Sequence, residues 1–254
     1  MLRLAATVAL GFGVMACDPG LSSPHPSGGG AAGGASGGGG DTGAGGCAPG
    51  HFVLTPAVTN ARDLGGTPLA DGGAMACGAI YRGPPLAAFD QPACDAFTRL
   101  GIRTVIDLRQ DAERSSKPES DCVAAGASIV TAPLPIPYSV SPDDYVADLD
   151  TLDSMGLVLK TLGTDAAYPV YVHCTWGRDR TGVVGAVVLA ALGASREAIL
   201  QEYLLSQPLV GAYPASLVAV LDEIDRQGGI EAYLASVGVT PEQVATLRAR
   251  GLGR

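Results

Sequence analysis

A chain of 254 residues with 47% hydrophobic side chains is long enough to bury a sizeable core, while 36 glycines and 18 prolines set aside part of its length for turns and unstructured segments. Its formal net charge of −9 argues against nucleic acid and against general adhesion to anionic lipid, since both call for a basic surface. Affinity for an anion would have to be local.

Taken in order, residues 1–17 carry one early positive charge (Arg3), a mainly apolar run to Ala16 and a small residue before Cys17, which together read as a secretory signal too short to span a bilayer. Val14-Met15-Ala16-Cys17 resembles a bacterial lipobox. That resemblance implies acylation of Cys17 after cleavage and a lipid anchor in the cell envelope; cleavage followed by plain secretion is the alternative. Residues 18–46 are mostly Gly, Ser, Ala and Pro without hydrophobic periodicity, the composition of a flexible tether. Residues 47–254 then form the folded domain. Without Arg3, Asp18 and Asp41 the 16 basic and 25 acidic residues of the chain become 15 and 23, so this domain carries −8.

Within it, residues 51–54 read as a short strand, 67–73 as a hairpin connection around Pro68 and Asp71-Gly72, and 74–82 as the next strand. Asp90 and Gly101 bracket a helix over 90–100 as N-cap and stop. The largely apolar run 102–108 is a strand buried on both faces, with Asp107 and Arg109 at its carboxyl end. They are candidates for support of a site there or for a surface salt bridge. Residues 110–122 are a polar loop with a helical start, and 127–134 a strand stopped by Pro133, Pro135 and Pro137. Ser141-Pro142-Asp143-Asp144 starts a helix running to about residue 162. A strand over 170–172 precedes a tight loop, and an apolar helix over 183–192 follows it. Further helices cover 195–206, 214–226 and 230–237, and Thr240-Pro241-Glu242-Gln243 is a capping-box start for the last.

The loop between that strand and helix carries the chemistry. Cys174 opens it and Arg180 closes it, with five residues between them. A short loop closing on a helix N-terminus aims backbone amides inward and lowers a cysteine pKa. Arg180 supplies a planar fork for two phosphate oxygens, Gly177 and Gly182 relieve the bends, and Thr181 is placed to offer its hydroxyl to the thiolate. Thr175, Trp176, Gly177 and Arg178 would line the phosphate site. His173 reads either as a core histidine or as a tuner of the thiol.

His173-Cys174, Gly177 and Arg180-Thr181-Gly182 at this spacing resemble the signature loop of the cysteine-dependent protein tyrosine phosphatase superfamily. Asn60, Arg62-Asp63-Leu64-Gly65-Gly66 and the later Tyr81-Arg82 resemble a second hallmark, that of bacterial tyrosine phosphatases acting on phosphoproteins and, in several members, on phosphoinositides. Residues 101–109 resemble that family's central strand. The resemblance covers residues 51–254 and implies an α/β fold with a central, mostly parallel sheet flanked by helices and a helical C-terminal part. It further implies two-step phosphomonoester hydrolysis through a phosphocysteine, with no metal or other cofactor, on a phosphotyrosine protein or small phosphoester. Related sequences carry aspartate where Asp179 stands, which makes Asp179 the first candidate for the general acid. Asp143 and Asp144, about thirty residues before the cysteine, are the second, unless they only complement a helix dipole. Arg62 and Asp63 are expected as a structural ion pair, with substrate contact by Arg62 as the alternative. Two departures stand out: Arg178 replaces the usual lysine, and Trp176 replaces a small residue. A rhodanese-like sulfur chemistry is the competing enzyme class, and Arg180-Thr181 at this spacing argues against it; phosphate binding without turnover is a third reading. With Cys17 acylated and Cys174 the nucleophile, Cys47, Cys77, Cys94 and Cys122 remain for two disulfides of unassigned pairing, as suits an exported domain. Membrane contact is expected only through the N-terminal anchor.

Overall fold

The computed structural model describes residues 47–254; the signal, the Cys17 anchor and the tether expected over 1–46 lie outside the described residues. The strands are β1 (Arg62–Asp63), β2 (Ile80–Gly83), β3 (Thr104–Asp107), β4 (Ser128–Thr131) and β5 (Val170–His173), in the sheet order β1-β2-β5-β3-β4. Only β1 and β2 pair antiparallel; the remaining pairs are parallel. The helices are α1 (Gln91–Leu100), α2 (Asp111–Ser116), α3 (Asp121–Gly126), α4 (Pro142–Asp150), α5 (Leu152–Leu162), α6 (Asp179–Ala191), α7 (Arg196–Leu204), α8 (Gln207–Val210), α9 (Pro214–Arg226), α10 (Ile230–Ser236) and α11 (Pro241–Gly251).

The inner strands β2, β3 and β5 are buried along their whole length, as continuous apolar runs in a sheet covered on both faces require. One face packs on α1, α3 and the segment around Val53 to Ala61; the other packs on α4 to α6 and the C-terminal helices. Helix α6 is apolar all round because every residue of it but Ala190 is buried. Register places Gly83, His173 and Asp107 on one rung at the carboxyl end of the sheet. The residues that follow them emerge together at that edge, where open α/β sheets bind ligands.

Several elements differ from the sequence reading. The strand expected over 74–82 is confined to β2, because Gly78 turns at φ +73 and its amide is held by Asp63 Oδ2 at 2.6 Å. Residues 51–54 and 67–73 keep only single bridges, Phe52 with Arg62 and Pro68 with Ala74. The long helix from Ser141 breaks at Thr151 (φ −82, ψ 66), whose hydroxyl donates to Ala147 O and competes with the helical ladder. The polar segment 110–122 contains two short helices, α2 and α3. Disulfides join Cys47 to Cys77 and Cys94 to Cys122, choosing one of the three pairings the sequence allows.

Candidate active site

Cys174 follows β5 directly, is 2% exposed, and is the one free cysteine among the described residues. The loop then turns through Gly177 at φ +63, where an added Cβ would lie 2.2 Å from the carbonyl carbon of Gly83. Only glycine satisfies both the left-handed backbone and that close approach. The loop's carbonyls are drawn outward. Asn60 Nδ2 donates to Trp176 O (3.0 Å) and Gly177 O (3.3 Å), and Arg82 Nη2 donates to Gly177 O (2.9 Å) and Arg178 O (3.3 Å). In a planar trans peptide the N–H points opposite to the C=O, so this pull turns the amides of Gly177, Arg178 and Asp179 away from the scaffold. Among the described residues no backbone acceptor pairs with the amides of Thr175 to Arg178. The result is a ring of unpaired donors closing on the N-terminus of α6, beside a thiol.

That outward pull rests on a buried ion triad. Glu202 of α7 accepts from Arg62 Nε at 2.7 Å and from Arg82 Nη1 at 2.6 Å, and Arg62 Nη1 also holds Asn60 Oδ1 at 2.6 Å. Burial pulls the Arg62 guanidinium down to about 10 against the opposing field of Glu202. Arg62 is fully buried and structural, but its partner is Glu202 and not Asp63 as the sequence suggested. Neighbouring strand residues point to opposite faces, so Arg62 and Asp63 are not placed to pair. Asp63 instead holds the amides of Gly65 and Gly78, at 2.8 and 2.6 Å.

Arg180 is engaged from the other side. Its Nη1 and Nη2 each donate to Glu113 of α2 at 2.7 Å, while Nη2 also reaches Thr175 Oγ1 at 3.2 Å and Nε is buried without a partner. The Thr175 hydroxyl donates to the same carboxylate. Burial pushes Glu113 up, but the bonds from Arg180, Thr175 and the Gln110 amide outweigh it and hold it at about 2. The Thr181 hydroxyl is buried with no partner, so the expected hydrogen bond to the Cys174 sulfur is not made, and Thr181 offers no surface to a substrate.

Asp179 is buried, and its oxygens are taken by the Tyr145 hydroxyl and by Arg178 Nε (2.7 Å) and Nη2 (3.1 Å). Arg178 lies over the Tyr213 ring at 4.6 Å and donates to Val210 O, so it ties the loop to the segment before α9 and does not face the amide ring as expected. Asp143 is exposed at the start of α4, and Asp144 caps that helix, accepting from the Ser139 hydroxyl and amide and from the Ser141 amide. Those bonds, led by the Ser139 hydroxyl, lower the Asp144 pKa, the wrong direction for an acid. Beneath the loop, His173 is fully buried and pushed down to about 4, chiefly by desolvation, so it is neutral at pH 7. Asp107, Glu119 and His173 come within ligand distance of one another, but Arg109 already spans the two carboxylates at 2.8 and 2.5 Å. A guanidinium fills the place a cation would take.

A protein-family model described as "Tyrosine phosphatase family" matches residues 53–253. The chain belongs to the tyrosine phosphatase family. Among curated relatives of this family member, a Cupriavidus necator protein named "Putative tyrosine-protein phosphatase" is 29% identical over 175 residues, which is 61% of this chain and 63% of that protein. The chain therefore spans somewhat less than two thirds of that relative's length. "Triple specificity protein phosphatase PtpB" of Mycobacterium tuberculosis is 26% identical over 208 residues, 66% of this chain and 74% of that protein. Among solved structures, the core catalytic domain of the PP-IP phosphatase SIW14 from S. cerevisiae, in complex with citrate, covers 61% of this chain and 89% of its own at 18% identity and a TM-score of 0.40. At that score the likeness adds nothing to what this family member's own sheet order shows.

Four residues at this candidate site escape sequence reasoning: Glu113, Glu202, Tyr145 and Asp148. Glu113, Glu202 and Tyr145 belong to no motif or spacing that marks them in the sequence. Asp148 sits one turn beyond Tyr145 on α4, 1% exposed, with both oxygens unpartnered. A charged residue on an otherwise core-facing turn of α4 was the available signal.

Proposed function

We propose that the protein is a phosphomonoester hydrolase of the cysteine-dependent protein tyrosine phosphatase type. The observation that carries this is the buried free thiol of Cys174 inside a ring of unpaired loop amides, with Arg180 on the first turn of the helix that closes the ring. In the first step the Cys174 thiolate attacks phosphorus and the ester oxygen departs. Arg180 and the amides take up charge on the equatorial oxygens. The proton for the departing oxygen is assigned to Asp179, the carboxyl inside the loop, in a state where Arg178 releases one of its oxygens; as carboxylate it then activates the water that cleaves the phosphocysteine. Glu113 and the Arg62-Arg82-Glu202 triad act through Arg180 and the loop backbone and do not touch substrate. For the full chain, p-nitrophenyl phosphate and a phosphotyrosyl peptide are the probes. Cys174→Ser should lower kcat at least about a thousandfold while keeping the fold. Lack of wild-type turnover from pH 4 to 9, with retained phosphopeptide binding, would leave a binding module instead.

The domain plan goes with this reading: a signal with lipobox over 1–17 cleaved before Cys17, lipid attachment at that cysteine, a tether over 18–46 and the catalytic domain over 47–254, working in the cell envelope. Two disulfides in the described part favour an oxidising compartment. Labelled palmitate should enter the wild-type chain and not Cys17→Ser; label in both would refute the anchor.

A further inference from the structure

The proposed mechanism leaves two conspicuous side chains without work. Trp176 is 56% exposed at the lip of the loop, although it is the largest apolar side chain of the protein. Lys117, exposed between α2 and α3, has no ion pair or side-chain hydrogen bond among the described residues. Both line one cleft of about 370 Å³, which also borders Thr175 and is walled by Val58, Pro84, Pro85 and Leu209. That volume is near the small end of ligand clefts, enough for an aromatic ring and one neighbouring group.

Charge in this cleft is sparse. Arg180 serves the phosphate site and Glu113, and Arg178 turns to Asp179, Val210 and Tyr213, so neither lines this cleft. Lys117 is the one cation that lines the cleft. In a domain of net −8 an acidic substrate is repelled everywhere that no cation is free to meet it. Val58, Pro84, Pro85 and Leu209 give the cleft an apolar patch beside its polar surface, which suits an aryl ring stacked on the indole, and a single cation does not suit a ligand with several phosphates around one small ring.

Resting on the phosphatase reading above, we infer that this cleft is a specificity subsite for acidic phosphotyrosyl peptides, in which Trp176 packs on the apolar part of the substrate and Lys117 pairs with a carboxylate next to the phosphotyrosine. Lys117 is a specificity residue and takes no part in bond breaking. An exposed pair of this kind changes affinity by a small factor and is screened by salt.

The test compares kcat/KM of the full chain on phosphotyrosyl peptides with either glutamate or lysine flanking the phosphotyrosine, with p-nitrophenyl phosphate and an inositol polyphosphate alongside. The acidic peptide should be preferred about three- to fivefold at low salt, mostly through KM, and the preference should shrink at 0.5 M salt, an order of magnitude set by surface pairs. Lys117→Met should abolish the preference and Lys117→Glu invert it, with turnover of p-nitrophenyl phosphate unchanged in both. Equal rates on the two peptides, a preference that survives Lys117→Glu, or faster turnover of the inositol polyphosphate than of either peptide would overturn the inference while leaving the phosphatase reading intact. Absence of turnover on every substrate would remove that reading, and this one with it.

Discussion

Asp148 shows how much a single buried side chain controls. Burial pushes its carboxyl up to about 8, with Asp179 and Asp144 adding to the shift and Arg180 opposing it. The Tyr233 hydroxyl approaches from α10, bonded to Leu149 O at 3.1 Å. The folded pKa lies above the unfolded value of 3.8, so across that window the folded chain keeps a proton that the unfolded chain releases. Stability from this group is whole below about pH 4 and is lost as pH rises towards 8. Asp148→Asn mimics the protonated form. Urea midpoints at pH 5 and pH 8 should therefore fall less in the variant than in the wild type; an equal fall in both would show that Asp148 does not titrate in this range. Glu113 works in the opposite sense: its folded pKa of about 2 lies below 4.5, so its contribution is present above pH 4.5 and fades on acidification.

At the scale of the element, the loop and α6 are held by close backbone contact as much as by side chains. Gly177 and Gly193 both have positive φ, +63 and +87, but an added Cβ at Gly177 meets the backbone of Gly83 whereas at Gly193 it meets open space. Gly177→Ala should cost about 2–4 kcal/mol and abolish activity, whereas Gly193→Ala should cost about 1 kcal/mol and leave turnover intact. Thermal melts and p-nitrophenyl phosphate rates for the pair decide it; similar losses would mean that conformational strain alone matters. Elements of this kind were legible in the sequence where their determinants are local. Asp90 and Gly101 bound α1, Thr240 and Gln243 form the capping box of α11, and the spacing of Cys174 and Arg180 marks the loop. The sequence was silent where a residue's meaning comes from a distant partner. Glu113 meets Arg180 from 67 residues away, and Glu202 meets Arg62 from 140, so neither spacing nor periodicity marks them. Arg178 points away from its expected place for the same reason: Asp179, Val210 and Tyr213 decide where it goes.

For the molecule as a whole, the second disulfide has an effect that reaches the loop. Cys94–Cys122 fastens α3 to α1, and the segment just before Cys122 carries Lys117, whose carbonyl accepts from Arg109 Nη1 at 2.7 Å, and Glu119, which meets Arg109 and lies 3.5 Å from His173. Breaking the bond frees that segment from one anchor and loosens the support under Cys174. In the proposed mechanism, however, Cys174 must itself stay a thiol. Added dithiothreitol should therefore raise activity at low dose and depress it at high dose, the decline coinciding with the appearance by mass spectrometry of alkylatable thiols beyond the first. A plateau that persists with all four bridging cysteines reduced would show the clamps to be dispensable. Under the proposed mechanism the protein would thus have an operating window in reductant, bounded below by Cys174 and above by its clamps.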